Sequence, residues 1–187
     1  MKLLRNFVLA VLLLPIVLVM VSLFLPSKYR VERSIVITAP AESIYPWLAN
    51  LRKWPEWTMW NTHFDPTLLF TYAGPEEGTG AEMTWTGKAV GNGSLKLLAA
   101  DVKTGVTYDL DFDNGKFHCG GAISMAAAEG GTRVIFSNQG EFGMNPVRRY
   151  FGLFVDKKMG GMFQQNLETL KKKFLAGGEP KVESKAN

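Results

Sequence analysis

The chain has 187 residues, 47% of them hydrophobic and 20% charged, which indicates one globular domain with short additions. Its net charge of +4 comes entirely from the first 33 residues, since the remaining part carries 16 basic and 16 acidic side chains. The domain therefore lacks the surplus of Lys and Arg expected of a nucleic-acid-binding protein. The single cysteine, Cys119, excludes an intrachain disulfide, and with His63 and His118 it gives no zinc-ligand spacing. We predict no metal, no cofactor and no nucleic-acid partner.

The N-terminus carries the longest apolar run, residues 7–25, which contain no charged side chain. A helix of this length spans about 28 Å, close to the hydrocarbon thickness of a bilayer. Because such a helix has no polar face, we predict a transmembrane anchor over residues 1–27 rather than a helix buried in the domain. A cleaved signal peptide is the alternative. However, the run exceeds the roughly 7–15 apolar residues of a signal peptide and lacks a small-residue cleavage site after it.

Basic residues flank the run on both sides, so the positive-inside rule is nearly balanced. The likeness of the first residues to an export signal favours a domain on the outer, periplasmic side of the cytoplasmic membrane. We therefore predict a single-pass protein of that membrane, with its domain outside.

The next elements follow from the hydrophobic pattern. A β-branched strand over 29–38 precedes a short helix over 41–48, a helical turn after residue 51 and a strand over 64–73. Apolar stretches then alternate with glycine-containing turns, as in an antiparallel meander. This pattern predicts strands over 81–89, 94–102, 106–112, 116–127 and 132–140.

A long helix ends the ordered chain. Asn145 is the predicted cap and Pro146 the first helical residue. An apolar stripe with helical spacing follows, formed by Met159, Phe163, Leu167, Leu170 and Phe174. Gly160-Gly161 within the stripe indicates a bend or a close approach of another group. Because this helix is the only element long enough to cover the sheet, residues 28–176 are predicted to form one α+β domain, with a disordered tail over 177–187.

Three stretches of this domain resemble the SRPBCC (START-like, polyketide cyclase/dehydrase) superfamily: Val31–Pro40, Trp54-Pro55-Glu56-Trp57 with Trp60, and Gly78–Trp85. The resemblance covers about residues 28–175, with Met59 departing from the proline of many relatives. It implies a helix-grip fold, in which a seven-stranded antiparallel sheet wraps around the long C-terminal helix and leaves an apolar cavity. Members bind lipids, sterols or polyketides; some are cyclases or hydrolases, and others are Hsp90 co-chaperones.

Aromatic and methionine side chains on the elements around this cavity are the candidate ligand-binding residues, since ligand pockets are mostly apolar and methionine adapts to a ligand's shape. They are Trp57, Trp60, Met83, Trp85, Tyr108, Leu110, Met159, Met162 and Phe163. Each of them is also a candidate for filling a solid core. For Trp54, Trp57 and Trp60 a place at the membrane interface is a further alternative.

Polar candidates for catalysis are few. Asp109 and Asp111 share one strand face, which is typical of the wet side of an amphipathic strand, and His63 falls in a loop. No nucleophile elbow, phosphate-binding loop or His-Glu-x-x-His motif occurs. The leading hypothesis is a membrane-anchored binding module for a lipid or other small hydrophobic ligand. The alternatives are a cyclase- or hydrolase-type enzyme and a co-chaperone-like interaction domain.

Overall fold

The computed structural model describes residues 2–113 and 115–175; within the first helix it describes the side chains of Asn6, Leu9 and residues 11–24. The predicted tail over 177–187 lies outside the described residues. The elements are α1 (Lys2–Phe24), β1 (Lys28–Ile37), α2 (Ala41–Ala49), a 3-10 helix (Leu51–Glu56), β2 (Leu69–Ala73), β3 (Glu82–Thr86), β4 (Gly93–Asp101), β5 (Gly105–Phe112), β6 (Phe117–Ala128), β7 (Gly131–Glu141) and α3 (Pro146–Leu175).

The strands form one antiparallel sheet in the order β1-β7-β6-β5-β4-β3-β2. The chain thus meanders from β2 to β7, and β1 pairs with the last strand along its whole length. This confirms the predicted seven-stranded sheet with a long C-terminal helix. The strand predicted over 64–73 begins only at Leu69, because hydrogen bonds that the Asp65 carboxylate accepts hold the preceding residues in a loop.

The alternation of side chains places the core on one face of the sheet. Along β5, Val106, Tyr108 and Leu110 are buried while Thr107 is exposed, as the sequence pattern predicts. On the buried face α3 contacts the sheet through Phe163, whose ring stacks on Phe136 with 4.2 Å between centroids. The core therefore lies between the sheet and the helices, mainly α3.

Two local predictions for α3 are confirmed. The Asn145 side chain accepts a hydrogen bond from the backbone N–H of Arg148 at 3.2 Å, so Asn145 caps the helix. A Cβ atom on Gly160 would overlap the guanidinium of Arg33, which reaches across α3 to the carboxylate of Asp156 at 3.0 Å. Gly160 is therefore the point of close approach that the glycine pair indicated, whereas a Cβ on Gly161 would meet open space.

The end of α1 packs against the start of α3. The guanidinium of Arg149 donates to the carbonyl oxygens of Ser22 and Leu23, and the Tyr150 hydroxyl donates to the carbonyl of Leu18. Among the side chains that the structure describes, no helix is long and apolar enough to cross a membrane. The transmembrane anchor over residues 1–27 therefore stays a prediction.

Candidate functional site

A cavity of about 260 Å³ lies between the sheet and α3. Its wall is formed by Met59, Trp60, Phe64, Val90, Tyr108, Leu110, Phe112, Asn138, Met159, Met162, Phe163 and Asn166. The lining is apolar apart from the Tyr108 hydroxyl and two asparagine amides. This combination of an apolar wall with a few polar groups is typical of sites for small ligands.

The structure brings six of the nine candidate residues together in this wall: Trp60, Tyr108, Leu110, Met159, Met162 and Phe163. The other three, Trp57, Met83 and Trp85, do not line the cavity and pack against other side chains in the core. Ligand binding by the six stays a prediction.

The tryptophans show why the two groups differ. The ring of Trp85 packs against Trp60 and Phe112, which both line the cavity, so Trp85 stands one layer behind the wall. Trp57 donates its indole N–H to the carbonyl of Trp47 and is 1% exposed. Trp54 is fully buried. The alternative that Trp54 and Trp57 lie at a membrane interface is therefore wrong, and Trp60 is half-buried at the cavity.

A buried polar cluster reaches the cavity wall through Asn138 and Tyr108. Asn138 accepts a hydrogen bond from the Tyr29 hydroxyl at 2.9 Å, and its amide nitrogen lies 3.5 Å from both the Tyr108 hydroxyl and the Cys119 sulfur. The Tyr108 hydroxyl donates to the carbonyl of Ser137. Burial raises the pKa of Tyr108, of Tyr29 and of the Cys119 thiol. The cluster is therefore neutral and offers hydrogen bonds rather than charge.

Sequence reasoning missed Asn138, although two glycines signal the space around it. A Cβ atom on Gly121 would overlap the Tyr108 hydroxyl, and one on Gly140 would lie 2.8 Å from the Tyr29 ring. A glycine inside a strand often indicates such a close approach. Gly121 and Gly140 therefore allow both tyrosine hydroxyls to reach the centre of the sheet.

A second missed residue, Asp65, connects two segments of the cavity wall. Its carboxylate, 2% exposed, accepts hydrogen bonds from the backbone and hydroxyl of Thr67 and from the backbone N–H groups of Ala89 and Val90. These hydrogen bonds lower the pKa of Asp65 to about 2, and the bond from the Thr67 hydroxyl has the largest effect. Asp65 thus ties the loop that carries Phe64 to the segment that carries Val90, and both residues line the cavity.

An open groove of about 440 Å³ continues from the cavity along the first half of α3. Its lining is Tyr29, Phe112, Phe117, His118, Cys119, Glu141, Phe142, Val147, Arg148, Phe151, Val155 and Met159. Phe112 and Met159 line both spaces, so these two side chains lie between the cavity and the groove. Among the described lining residues, those of the groove include Glu141 and Arg148, whereas those of the cavity include no charged side chain.

The candidate catalytic residues lie away from the cavity. The imidazole of His118 is placed between two carboxylates, with its Nδ1 3.0 Å from Asp111 and its Nε2 3.1 Å from Asp109. These contacts raise the pKa of His118, and the hydrogen bond with Asp111 has the largest effect. One possible metal-ligand atom from each of Asp109, Asp111 and His118 lies within 4.8 Å of the others. However, both ring nitrogens of His118 are already paired with carboxylates, which is the arrangement expected of a protonated histidine.

His63 is exposed in its loop. Among the described residues that line the cavity there is no carboxyl, imidazole, amine or thiol group.

Comparison with known proteins agrees with this architecture. A family model described as "Polyketide cyclase / dehydrase and lipid transport" matches residues 28–175, which confirms the superfamily resemblance. None of the curated proteins compared with the chain matches it.

Solved structures share the fold at low identity. The crystal structure of Ara h 8.0201 is 16% identical, with 80% of this chain and 99% of that chain covered and a TM-score of 0.55. Protein MLL2253 from Mesorhizobium loti is 15% identical, with 81% and 100% covered and a TM-score of 0.57. The Aha1 dimer from Colwellia psychrerythraea is 16% identical, with 81% and 99% covered and a TM-score of 0.54.

Proposed function

The chain belongs to the polyketide cyclase/dehydrase and lipid transport family, and from this premise we propose that it binds a small hydrophobic molecule, such as a lipid, between its sheet and α3. The observation that carries the proposal is the cavity wall, which is apolar except for Tyr108, Asn138 and Asn166. An apolar ligand gains free energy by leaving water for such a site, and the few polar groups fix its orientation.

The size of the site favours a ligand that extends beyond the cavity into the groove. Its 260 Å³ lie just below the roughly 300–1,000 Å³ of common ligand pockets, whereas the 440 Å³ groove falls within that range. Met159 stands between them, and its unbranched side chain adopts alternative rotamers readily. A ligand with a long apolar chain would displace Met159 and occupy both spaces.

Binding without chemistry is better supported than a cyclase or hydrolase activity. General acid–base catalysis needs a group that titrates near the working pH at the reacting atoms. The described cavity wall offers Tyr108, whose pKa burial raises above its ordinary value, and two asparagine amides. These groups donate and accept hydrogen bonds but do not exchange protons near neutral pH.

We also propose that the N-terminal segment holds the domain at a membrane, on its outer face. The support is the uncharged run over residues 7–25 and the surface of α1, where the large apolar side chains from Val11 to Val21 are 44–63% exposed. Exposed apolar area costs about 25 cal/mol per Å² in water, so a helix with this surface is stabilised by lipid. A reporter fused after Asn187 distinguishes outer from cytoplasmic exposure of the domain.

Filling the cavity tests the binding proposal. The full chain is reconstituted in nanodiscs and titrated with a fluorescent fatty acid, comparing Met162→Trp in the cavity wall with Gln165→Trp on the exposed side of α3. We expect Met162→Trp to weaken binding by about tenfold or more, equivalent to about 1.4 kcal/mol, and Gln165→Trp to leave it unchanged. Equal affinities of the two variants and the unmodified chain would contradict the proposal.

A further inference from the structure

We propose that the first turns of α3, residues 146–154, lie in the headgroup region of the bilayer beside α1, and that the groove takes up its ligand there directly from the lipid phase. The inference deepens the proposed function and rests on its membrane anchor and apolar ligand. It adds a second membrane-contacting element and a route of entry.

The depth of these turns follows from their hydrogen bonds with α1. The Tyr150 hydroxyl donates to the carbonyl of Leu18 at 2.8 Å, and Arg149 donates to the carbonyls of Ser22 and Leu23. Leu18 lies six residues before the end of α1 at Phe24, which is about 9 Å along a helix axis. Amphipathic helices at membrane surfaces bury their apolar face by about 5–10 Å, so the start of α3 reaches that depth when α1 spans the bilayer.

The apolar surface of these turns has no cover within the described residues. Val147, Phe151 and Phe154 are 76%, 51% and 58% exposed, and their spacing of four and three residues places them on one helix face. Met144, just before α3, is 73% exposed. Exposed apolar residues that are contiguous in this way indicate a contact surface.

The charges around this face fit a lipid surface. Lys158 lies on the same face one turn further along and approaches the Phe151 ring, with 5.6 Å from its nitrogen to the ring centroid. The Arg148 guanidinium stands 4.3 Å from the centroid of Phe117. Lys157 is exposed. Long basic side chains that pack along aromatic rings and end in charge are typical of the boundary between acyl chains and anionic headgroups.

The groove opens at the same place. Val147 and Phe151 line the groove and also belong to the exposed apolar face, so they form the lip between the two. A molecule that leaves the acyl-chain region over this lip reaches Met159 and the cavity without crossing bulk water. A bilayer is therefore the occupant that accounts for the exposed face, the basic residues and the groove together.

A depth-sensitive probe tests the placement without any ligand. The full chain with Cys119→Ser receives a fluorescent label at Phe154→Cys, or at Lys103→Cys as a control, in vesicles of phosphatidylcholine and phosphatidylglycerol. Lys103 lies in the β4–β5 turn, at the end of the sheet opposite Lys28. We expect the label at 154, not at 103, to shift its emission to shorter wavelength and to be quenched by lipids with a nitroxide near the headgroup.

Each other outcome overturns the inference. A label at 154 that stays as water-exposed as the label at 103 means that α3 does not enter the bilayer, even if the chain floats with vesicles and binds ligand. A blue shift that appears without lipid and grows with protein concentration means that a second copy covers the face. A chain that does not float with vesicles lacks the anchor, so the anchor proposal fails with it.

A transfer assay tests the route of entry. In the variant Phe154→Asp, whose native side chain is 58% exposed and does not line the groove, we expect slower uptake of a fluorescent fatty acid from donor vesicles but unchanged affinity for the same fatty acid added from detergent micelles. Leu69→Asp, which replaces a side chain 72% exposed on β2, is the matched control. It should change neither the rate of uptake from vesicles nor the affinity for the fatty acid. Unchanged uptake from vesicles in Phe154→Asp contradicts the entry route, while loss of binding in the unmodified chain would contradict the proposed function instead.

Discussion

The two halves of α3 use apolar side chains in opposite ways. In the inner half, residues 159–174, Phe163, Leu167 and Leu170 are buried in the core, and Phe163 also lines the cavity. In the outer half, residues 146–158, Phe151 and Phe154 are exposed beside the open groove. The comparison shows that a single helix contributes both to the core of the domain and to a surface that lacks a cover within it.

The largest expected effect distinguishes a phenylalanine of each half. Phe163 is 4% exposed and stacks on Phe136, so Phe163→Ala leaves a cavity and should lower the free energy of unfolding by about 3–5 kcal/mol. Phe154→Ala, at a position 58% exposed, should change it by less than about 0.5 kcal/mol. Urea denaturation in detergent micelles, where the outer half meets no bilayer, measures both. Equal losses would show that the outer half is buried in the folded chain.

A medium effect is expected at the boundary between the halves. Gly161→Ala should raise the free energy of unfolding by up to about 1 kcal/mol, because alanine is the better helix former and its Cβ meets no atom. Gly160→Ala should raise the free energy of unfolding by less, because its Cβ displaces the Arg33 guanidinium from Asp156.

Thermal melts of the two variants measure the difference, and Arg33→Ala serves as the control background. In the Arg33→Ala background, Gly160→Ala should raise the free energy of unfolding by as much as Gly161→Ala does. If it does not, the contact with Arg33 is not what limits residue 160.

The remaining effects concern pH and separate the cavity from the groove. The pKa of Asp65 behind the cavity wall is lowered to about 2 from 3.8, so its contribution to stability is present above pH 3.8 and is lost as the pH falls toward 2. The pKa of His118 beside the groove is raised above 6.5, so its contribution is present below pH 6.5 and is lost as the pH rises through the raised value.

Urea denaturation across this pH range, with Asp65→Asn and His118→Gln as the paired variants, measures both dependences. Asp65→Asn should flatten the acid side of the profile alone, and His118→Gln should flatten only the region above pH 6.5. Since His118 lies largely in solvent, its effect should shrink further in high salt. A variant that changes both regions would show that the two sites are coupled.

Elements governed by local patterns could be predicted from the sequence. The alternation along β5, the glycine turns and the stripe on α3 each depend on residues near one another in the chain, and the strands and helix lie where those patterns indicate. The close approach at Gly160 was predicted as a feature of the helix, although nothing in the sequence identified Arg33 as the approaching group.

The candidate site was predicted only in part, because a cavity wall depends on the order of layers between distant segments. Tyr108 and Trp85 both alternate inward on their strands, yet Trp60 covers Trp85 and leaves Tyr108 at the wall. Asn138 and Asp65 were missed because polar residues in a strand and a loop read as solvated. Each is buried with a hydrogen-bond partner that is distant in the chain. Asn138 is bonded to Tyr108, 30 positions away, and Asp65 to Val90, 25 positions away.

The junction of α1 with the domain determines how the protein would move on a membrane. Only residues 25–27 separate α1 from β1, and the carbonyl of Ser27 is bonded to the N–H of Phe142 while Arg149 holds the carbonyls at the end of α1. This connection is short and held by hydrogen bonds at both ends, so it is rigid and does not act as a flexible linker. A chain inserted through α1 would keep a fixed tilt and the same face toward the lipid, and would meet its ligands by lateral diffusion of the whole molecule.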